Sequence, residues 1–161
     1  MPQLPTSSPM STGALVLRYA GFLITGVILL NLALAFLPYR FNSGGMSAIG
    51  VFLIWGAASW VGQAWFLREQ ARPESGRAWT VAALCALVTY AVQAAFVLLV
   101  AGAALSRHGS LGLPGGSDRM IVLGAFVAFA LLELLVIRVA IGLGTKGAEK
   151  RVLRQAAKVS A

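Results

Sequence analysis

Four stretches of the chain run for a bilayer's width with no Asp, Glu, Lys or Arg, or nearly none: residues 19–38, 46–67, 78–105 and 120–143. About 20 helical residues cross a hydrocarbon core of about 30 Å. None of the runs alternates apolar and polar positions with a period of two, so a transmembrane β-barrel does not fit. In lipid, backbone N–H and C=O groups must be bonded within the protein, which leaves helices. The pattern predicts an all-α integral membrane four-helix bundle. The third run is the longest and must tilt or extend past the headgroups.

The breaks between runs are sharp. Pro38 is followed by Asn42-Ser43-Gly44-Gly45, a turn signal. Arg68–Arg77 holds Pro73 and Gly76 among its charges, and Ser106–Arg119 carries Gly109, Gly112, Pro114, Gly115 and Gly116. Such short connections predict that helices adjacent in sequence pack antiparallel, side by side. Residues 1–17 are rich in Ser, Thr and Pro and read as a disordered tail. Residues 18–143 form the transmembrane domain, and 144–161 a basic amphipathic tail. The first run has only Arg18 before it and no clear cleavage pattern, so it is expected to stay as a helix. Met10 is an alternative start that leaves this fold unchanged.

Composition narrows the class. The chain of 161 residues is 58% hydrophobic and 11% charged, with a mean hydropathy of +0.82. A soluble domain carries about 25% charged residues, so a water-soluble enzyme is excluded. The net charge of +8 would fit nucleic acid, but its distribution fits membrane topology better. Arg18, Arg68, Arg72, Arg77, Lys146, Lys150, Arg151, Arg154 and Lys158 fall on one side. Arg40, Arg107 and Arg119 fall on the other. The positive-inside rule then predicts N-in/C-in, with both termini cytoplasmic, and no nucleic-acid partner. Trp65, Phe66 and Trp79 are expected as an inner aromatic belt, and Tyr39 and Phe41 as an outer one. In the tail, Lys146, Lys150, Arg154 and Lys158 recur every four residues. With Arg151 they are expected to lie on anionic lipid, Ala148, Val152, Ala156 and Val159 forming the apolar face.

Little catalytic chemistry is present. Cys85 and His108 are the single cysteine and the single histidine. A thiol–disulfide relay needs two cysteines, and one His does not make a metal site. Neither a metal nor a cofactor is expected, and the chain reads as non-enzymatic.

The polar residues inside the runs are the candidate site. Glu133 lies near the middle of the fourth run, where a carboxyl must face protein or water. It is expected to be neutral and hydrogen-bonded to Gln93 or Asn31, which lie at comparable depth by counting. Tyr90 and Gln63 are further candidates. Arg138, five residues after Glu133, is about 140° around the helix and is expected to pair across helices or anchor the inner end. Ala58-x-x-x-Gly62, Ala82-x-x-x-Ala86, Ala91-x-x-x-Ala95 and Gly124-x-x-x-Ala128 are small-residue faces that could close the bundle or a homodimer.

Asn31, Ser47-Ala48-Ile49 and the turn Phe66-Leu67-Arg68-Glu69-Gln70-Ala71-Arg72-Pro73-Glu74, with an apolar helix from Trp79, give the stretch 31–89 a family likeness. It resembles small four-span proteins of the bacterial inner membrane that have no settled activity. Pro73-Glu74-Ser75 and Arg77 depart from that family's turn. The resemblance implies a bacterial inner membrane. The architecture is also similar to immunity proteins that block pore-forming toxins. The expected function is non-enzymatic binding of a membrane protein or toxin partner, with proton-coupled export through Glu133 and assembly of a membrane complex as the alternatives.

Overall fold

The computed structural model describes residues 9–36, 43–108 and 117–159. They form four helices: α1 (Thr12–Phe36), α2 (Ser43–Glu69), α3 (Ser75–His108) and α4 (Ser117–Val159). This is the all-α four-helix bundle that the apolar runs predict, and all four helices are long and apolar enough to cross a membrane.

The packing order differs from the expected one. α1 packs on α2 and α3, and α4 packs on α2 and α3. The ring therefore runs α1–α2–α4–α3. α2 and α3 are joined by only five residues yet meet near their turn, as diagonal partners. α2 and α4, which run parallel, make the closest pairing. The cause is the size of the side chains between them. A Cβ on Gly62 would lie 3.1 Å from Ile141 Cα and closer still to its carbonyl oxygen. One on Gly144 would lie 3.0 Å from Ser59 Cα, again with the carbonyl oxygen nearer. Bare glycines let these two backbones touch, as in other membrane helix pairs.

Among the described residues, the buried side chains lie in one half of the bundle. They run from Met10 to Leu23 on α1, Ala57 to Phe66 on α2, Ala78 to Thr89 on α3 and Ile137 to Ala148 on α4. This half contains the start of α1, the 70–74 turn and the end of α4, and is called the basic half below. Beyond it, the described side chains are exposed or half-buried, among them Ile28, Phe52, Phe96, Leu98, Phe126 and Phe129. In the basic half, Gly62 and Gly144 let α2 and α4 approach to backbone contact.

Two segment boundaries are corrected. The expected disordered tail over 1–17 does not hold for residues 10–17, which join the packed structure. Met10 is buried in the core, Ser11 Oγ accepts a hydrogen bond from Ala14 N at 3.2 Å as a helix cap, and Leu15 is fully buried. The expected break at 143/144 is absent too. α4 continues unbroken to Val159, because the tail's four-residue periodicity continues the span's own helical pattern. Ala148 is buried and Glu149 bridges to Arg72 at 2.9 Å, so the first turns of the tail belong to the packed bundle.

α2 stops at Gln70, which has a φ of 50°. Its N–H donates to Phe66 O at 2.7 Å and its side-chain Nε2 to Leu67 O at 3.0 Å, so the last carbonyls of the helix are capped. Pro73 then prevents continuation. At the same end, Glu69 and Arg77 form a two-contact ion pair, with both N···O distances 3.0 Å. Glu69 also accepts from Met10 N at 2.8 Å, Arg77 donates to Met10 O, and the guanidinium lies 4.9 Å from the Trp65 ring centroid. One ion pair thus ties the chain entering α1 to the α2–α3 turn. Trp65 and Phe66 are buried in this layer and are not belt residues, whereas Trp79 is exposed. Tyr39 and Phe41 lie outside the described residues.

Candidate functional site

The polar side chains within the spans fall into two groups and not the single cluster expected from depth alone. The first lies at the edge of the packed half. Thr89 Oγ1 donates to Cys85 O at 3.0 Å, one turn back on α3. Its only proton is then used, so Tyr19 Oη, 2.8 Å away, is the donor in the buried α1–α3 bond. Glu133 on α4 faces this pair, with Thr89 and Tyr90 as its polar neighbours. Yet Glu133 Oε1 and Tyr90 Oη are both buried and neither has a hydrogen-bond partner within range. The Tyr90 ring packs against Phe126 of α4 at 5.5 Å between centroids. Two unsatisfied polar atoms at one helix junction are unusual, because each carries its full desolvation cost.

The second group is on the α1–α3 side. Asn31 and Gln93 line a groove of about 390 Å³ whose other walls are Val27, Leu30, Val92, Phe96 and Val97. Both amides are exposed. Asn31 Nδ2 donates to Val27 O at 2.8 Å, a bond to its own helix. No hydrogen bond within the described residues reaches Gln93. The expected bonds from Glu133 to Gln93 or Asn31 are therefore absent among the described residues. Gln93 lies one turn beyond Thr89 and its side chain opens on the groove.

The other candidates separate further. Gln63 Oε1 accepts from Arg151 Nη1 at 3.4 Å in the basic half, away from Glu133. Arg138 lies over Trp79 at 5.5 Å and does not meet Glu133, in keeping with the angle between them. Lys146, Lys150, Arg151, Arg154 and Lys158 are exposed along α4. Of the four small-residue faces, Ala58/Gly62 and Ala82/Ala86 are buried, whereas Ala91, Ala95, Gly124 and Ala128 are exposed. Two participants were missed by sequence reasoning. Tyr19 was read as the start of the first run and not as a donor, and Ala140-x-x-x-Gly144 is a small-residue pair that could have been read from its spacing.

Four spanning helices with a largely apolar, lipid-matched surface define a multi-pass membrane protein. Comparison with protein-family models, curated proteins and solved structures finds no match to the chain.

Proposed function

We propose that the protein acts without chemistry of its own, by binding a second transmembrane helix in the α1–α3 groove. The observation that carries this is the exposure of Asn31 and Gln93 on walls that are otherwise apolar. Facing hydrocarbon, Gln93 loses its hydrogen bonds to water and gains none among the described residues, and Asn31 keeps only the bond from Nδ2 to Val27 O. Lipid tails match Val, Leu and Phe as well as any helix does, so apolar walls alone favour no protein partner. A helix carrying a donor and an acceptor at this depth would satisfy both amides. The basic half faces the cytoplasm of a bacterial inner membrane in this reading, because Lys and Arg concentrate there. An immunity protein bound to a membrane-acting toxin and an assembly subunit bound to its complex are both of this class.

The test is a photo-crosslinking residue at Val97 in native membranes, with and without Asn31→Leu plus Gln93→Leu. The expected result is a discrete adduct heavier than the chain by a partner other than itself, lost in the double variant. An adduct of twice the chain's mass identifies a homodimer. An adduct unaffected by the double variant refutes the role of the amides. Protection against co-expressed toxin, scored with the same variants, separates immunity from assembly.

The unpaired Glu133 Oε1 supports a second reading, proton-coupled export. Glu133→Gln keeps the shape and hydrogen-bonding capacity but cannot titrate, and Glu133→Leu removes both. Loss of drug resistance in a folded Glu133→Gln protein would favour the exporter. Retention in Glu133→Gln, with moderate destabilisation in Glu133→Leu, favours partner binding.

A further inference from the structure

On the basic half, between α3, α4 and the α2–α3 turn, lies a cleft of about 480 Å³ lined by Arg72, Trp79, Arg138, Gly142, Leu143 and Lys146, among others. Arg138, Gly142 and Lys146 recur every four residues, so they share one face of α4. Arg138 bends along that face, with Nη1 3.7 Å from where a Gly142 Cβ would sit and the guanidinium over the Trp79 ring. Lys146, one turn beyond Gly142, lines the same cleft, so both cations border it on one face of α4.

The charge of this cleft is poorly balanced. Glu149 bridges Arg72, and Glu69 bridges Arg77. Among the described residues no carboxylate bridges Arg138 or Lys146. Arg138 Nε is buried and has no hydrogen-bond partner. A guanidinium with an open N–H and a neighbouring ammonium suit the oxygens of a phosphate. The remaining walls, Trp79, Val139 and Leu143, are apolar and continue into the span. We propose that this cleft binds the phosphate of an anionic phospholipid headgroup, with the first carbons of the acyl region against Trp79 and Leu143. The apolar wall and the position at the end of the spans favour a lipid over a soluble phosphate. Basic pockets between transmembrane helices are the usual seats for such headgroups.

The test uses the full chain in detergent, titrated with phosphatidylglycerol, phosphatidylcholine or inorganic phosphate and read by native mass spectrometry. The expected result is a preference of about thirtyfold for phosphatidylglycerol over phosphatidylcholine, in line with two surface cations. Arg138→Gln plus Lys146→Gln should abolish it. Gly142→Leu should do the same with every charge intact, because a larger side chain fills the cleft and a Cβ there meets only ordinary contact. Lys146→Gln alone changes an exposed side chain, keeps the fold and should lower the preference severalfold. Lys150→Gln plus Arg154→Gln, outside the cleft, should leave it in place. A preference that survives Gly142→Leu and the double variant, or that falls equally in the Lys150/Arg154 control, overturns the proposal. Displacement of the lipid by millimolar inorganic phosphate reassigns the cleft to a soluble anion and overturns the lipid assignment.

Discussion

The α2–α4 contact gives a graded prediction that can be worked from distances. Gly62→Ala and Gly144→Ala each place a methyl group against a backbone carbonyl on the facing helix, with Cα–Cβ separations of 3.1 and 3.0 Å. Backbone cannot rotate away as a side chain can, so the helices must part by roughly an ångström, an overpacking that costs about 1–3 kcal/mol. Replacing glycine by alanine within a helix returns about 0.5–1 kcal/mol. The net loss for each variant is then about 0–2.5 kcal/mol, and each should be about 1–3 kcal/mol less stable than an unobstructed Gly→Ala variant. The double variant should cost less than the sum of the two, because the first alanine already separates the helices and the sites are neighbours. Gly26→Ala is the intermediate case: its Cβ meets Leu53 Cδ2 at 2.8 Å, the tip of a flexible side chain. Gly50→Ala and Gly124→Ala meet nothing within 4 Å and should be neutral or slightly stabilising. The assay is reversible unfolding in mixed micelles, followed by tryptophan fluorescence. If Gly144→Ala is as stable as Gly124→Ala, α2 and α4 do not touch at these glycines and the packing order proposed for the ring fails.

Glu69→Gln removes the charge that holds Arg77 and weakens the tie to Met10, and should cost about 1.5–3 kcal/mol, as for other charge-assisted bonds, measured in the same unfolding assay. Tyr19→Phe deletes the donor to Thr89 but leaves the Thr89–Cys85 bond intact, so it should cost about 0.6 kcal/mol, the mean for hydrogen bonds in a membrane bundle. Deleting residues 146–161 removes buried Ala148 and the Glu149 bridge to Arg72 and should lower the melting temperature. Deleting only 155–161, all exposed where described, should leave it unchanged.

The number and approximate extent of the helices were legible from the charge-free runs, because hydropathy over a bilayer's width is a long and strong signal. Their neighbours were not. The short 70–74 turn suggests that α2 and α3 pack side by side, but close packing is decided by which faces carry glycine, and Gly62 against Ile141 and Gly144 against Ser59 make α4 the ring neighbour of α2. The tail's four-residue basic pattern was correct as helix, but the bundle's end, placed at 143, lies beyond Ala148. Buried Ala148 shows this, and alanine is too common in this chain to stand out. Within the candidate site, depth by counting placed Glu133, Gln93 and Asn31 together. Counting gives height along the membrane and not direction around the helix, and Gln93 turns to the α1 groove while Glu133 meets Thr89 and Tyr90. Trp65 and Trp79 are both tryptophans near a span end, yet one is buried under Arg77 and the other is exposed beside Arg138. Composition cannot distinguish them, because the difference lies in what packs above each ring.

The two halves of the bundle impose different conditions on anything that binds. In the basic half, small residues bring backbones into contact and the Tyr19–Thr89 bond is fully enclosed. In the other half, the walls are chiefly Leu, Val, Ile and Phe, against which an acyl chain packs as well as a protein helix does. Selectivity there cannot come from apolar area. It must come from the few polar atoms there that lipid cannot satisfy: the amides of Asn31 and Gln93 in one groove. A lipid left against these groups leaves them unpaired, at a cost comparable to a lost hydrogen bond for each. A helix that offers donors and acceptors at the same heights removes that cost and has to pay only for its own ordering. Substitutions that turn these positions to leucine should therefore stabilise the isolated protein and weaken its complexes, whereas the same change at Val97 or Phe96 should alter neither by much. That opposite sign separates a recognition surface from polar residues kept only to hold the bundle together.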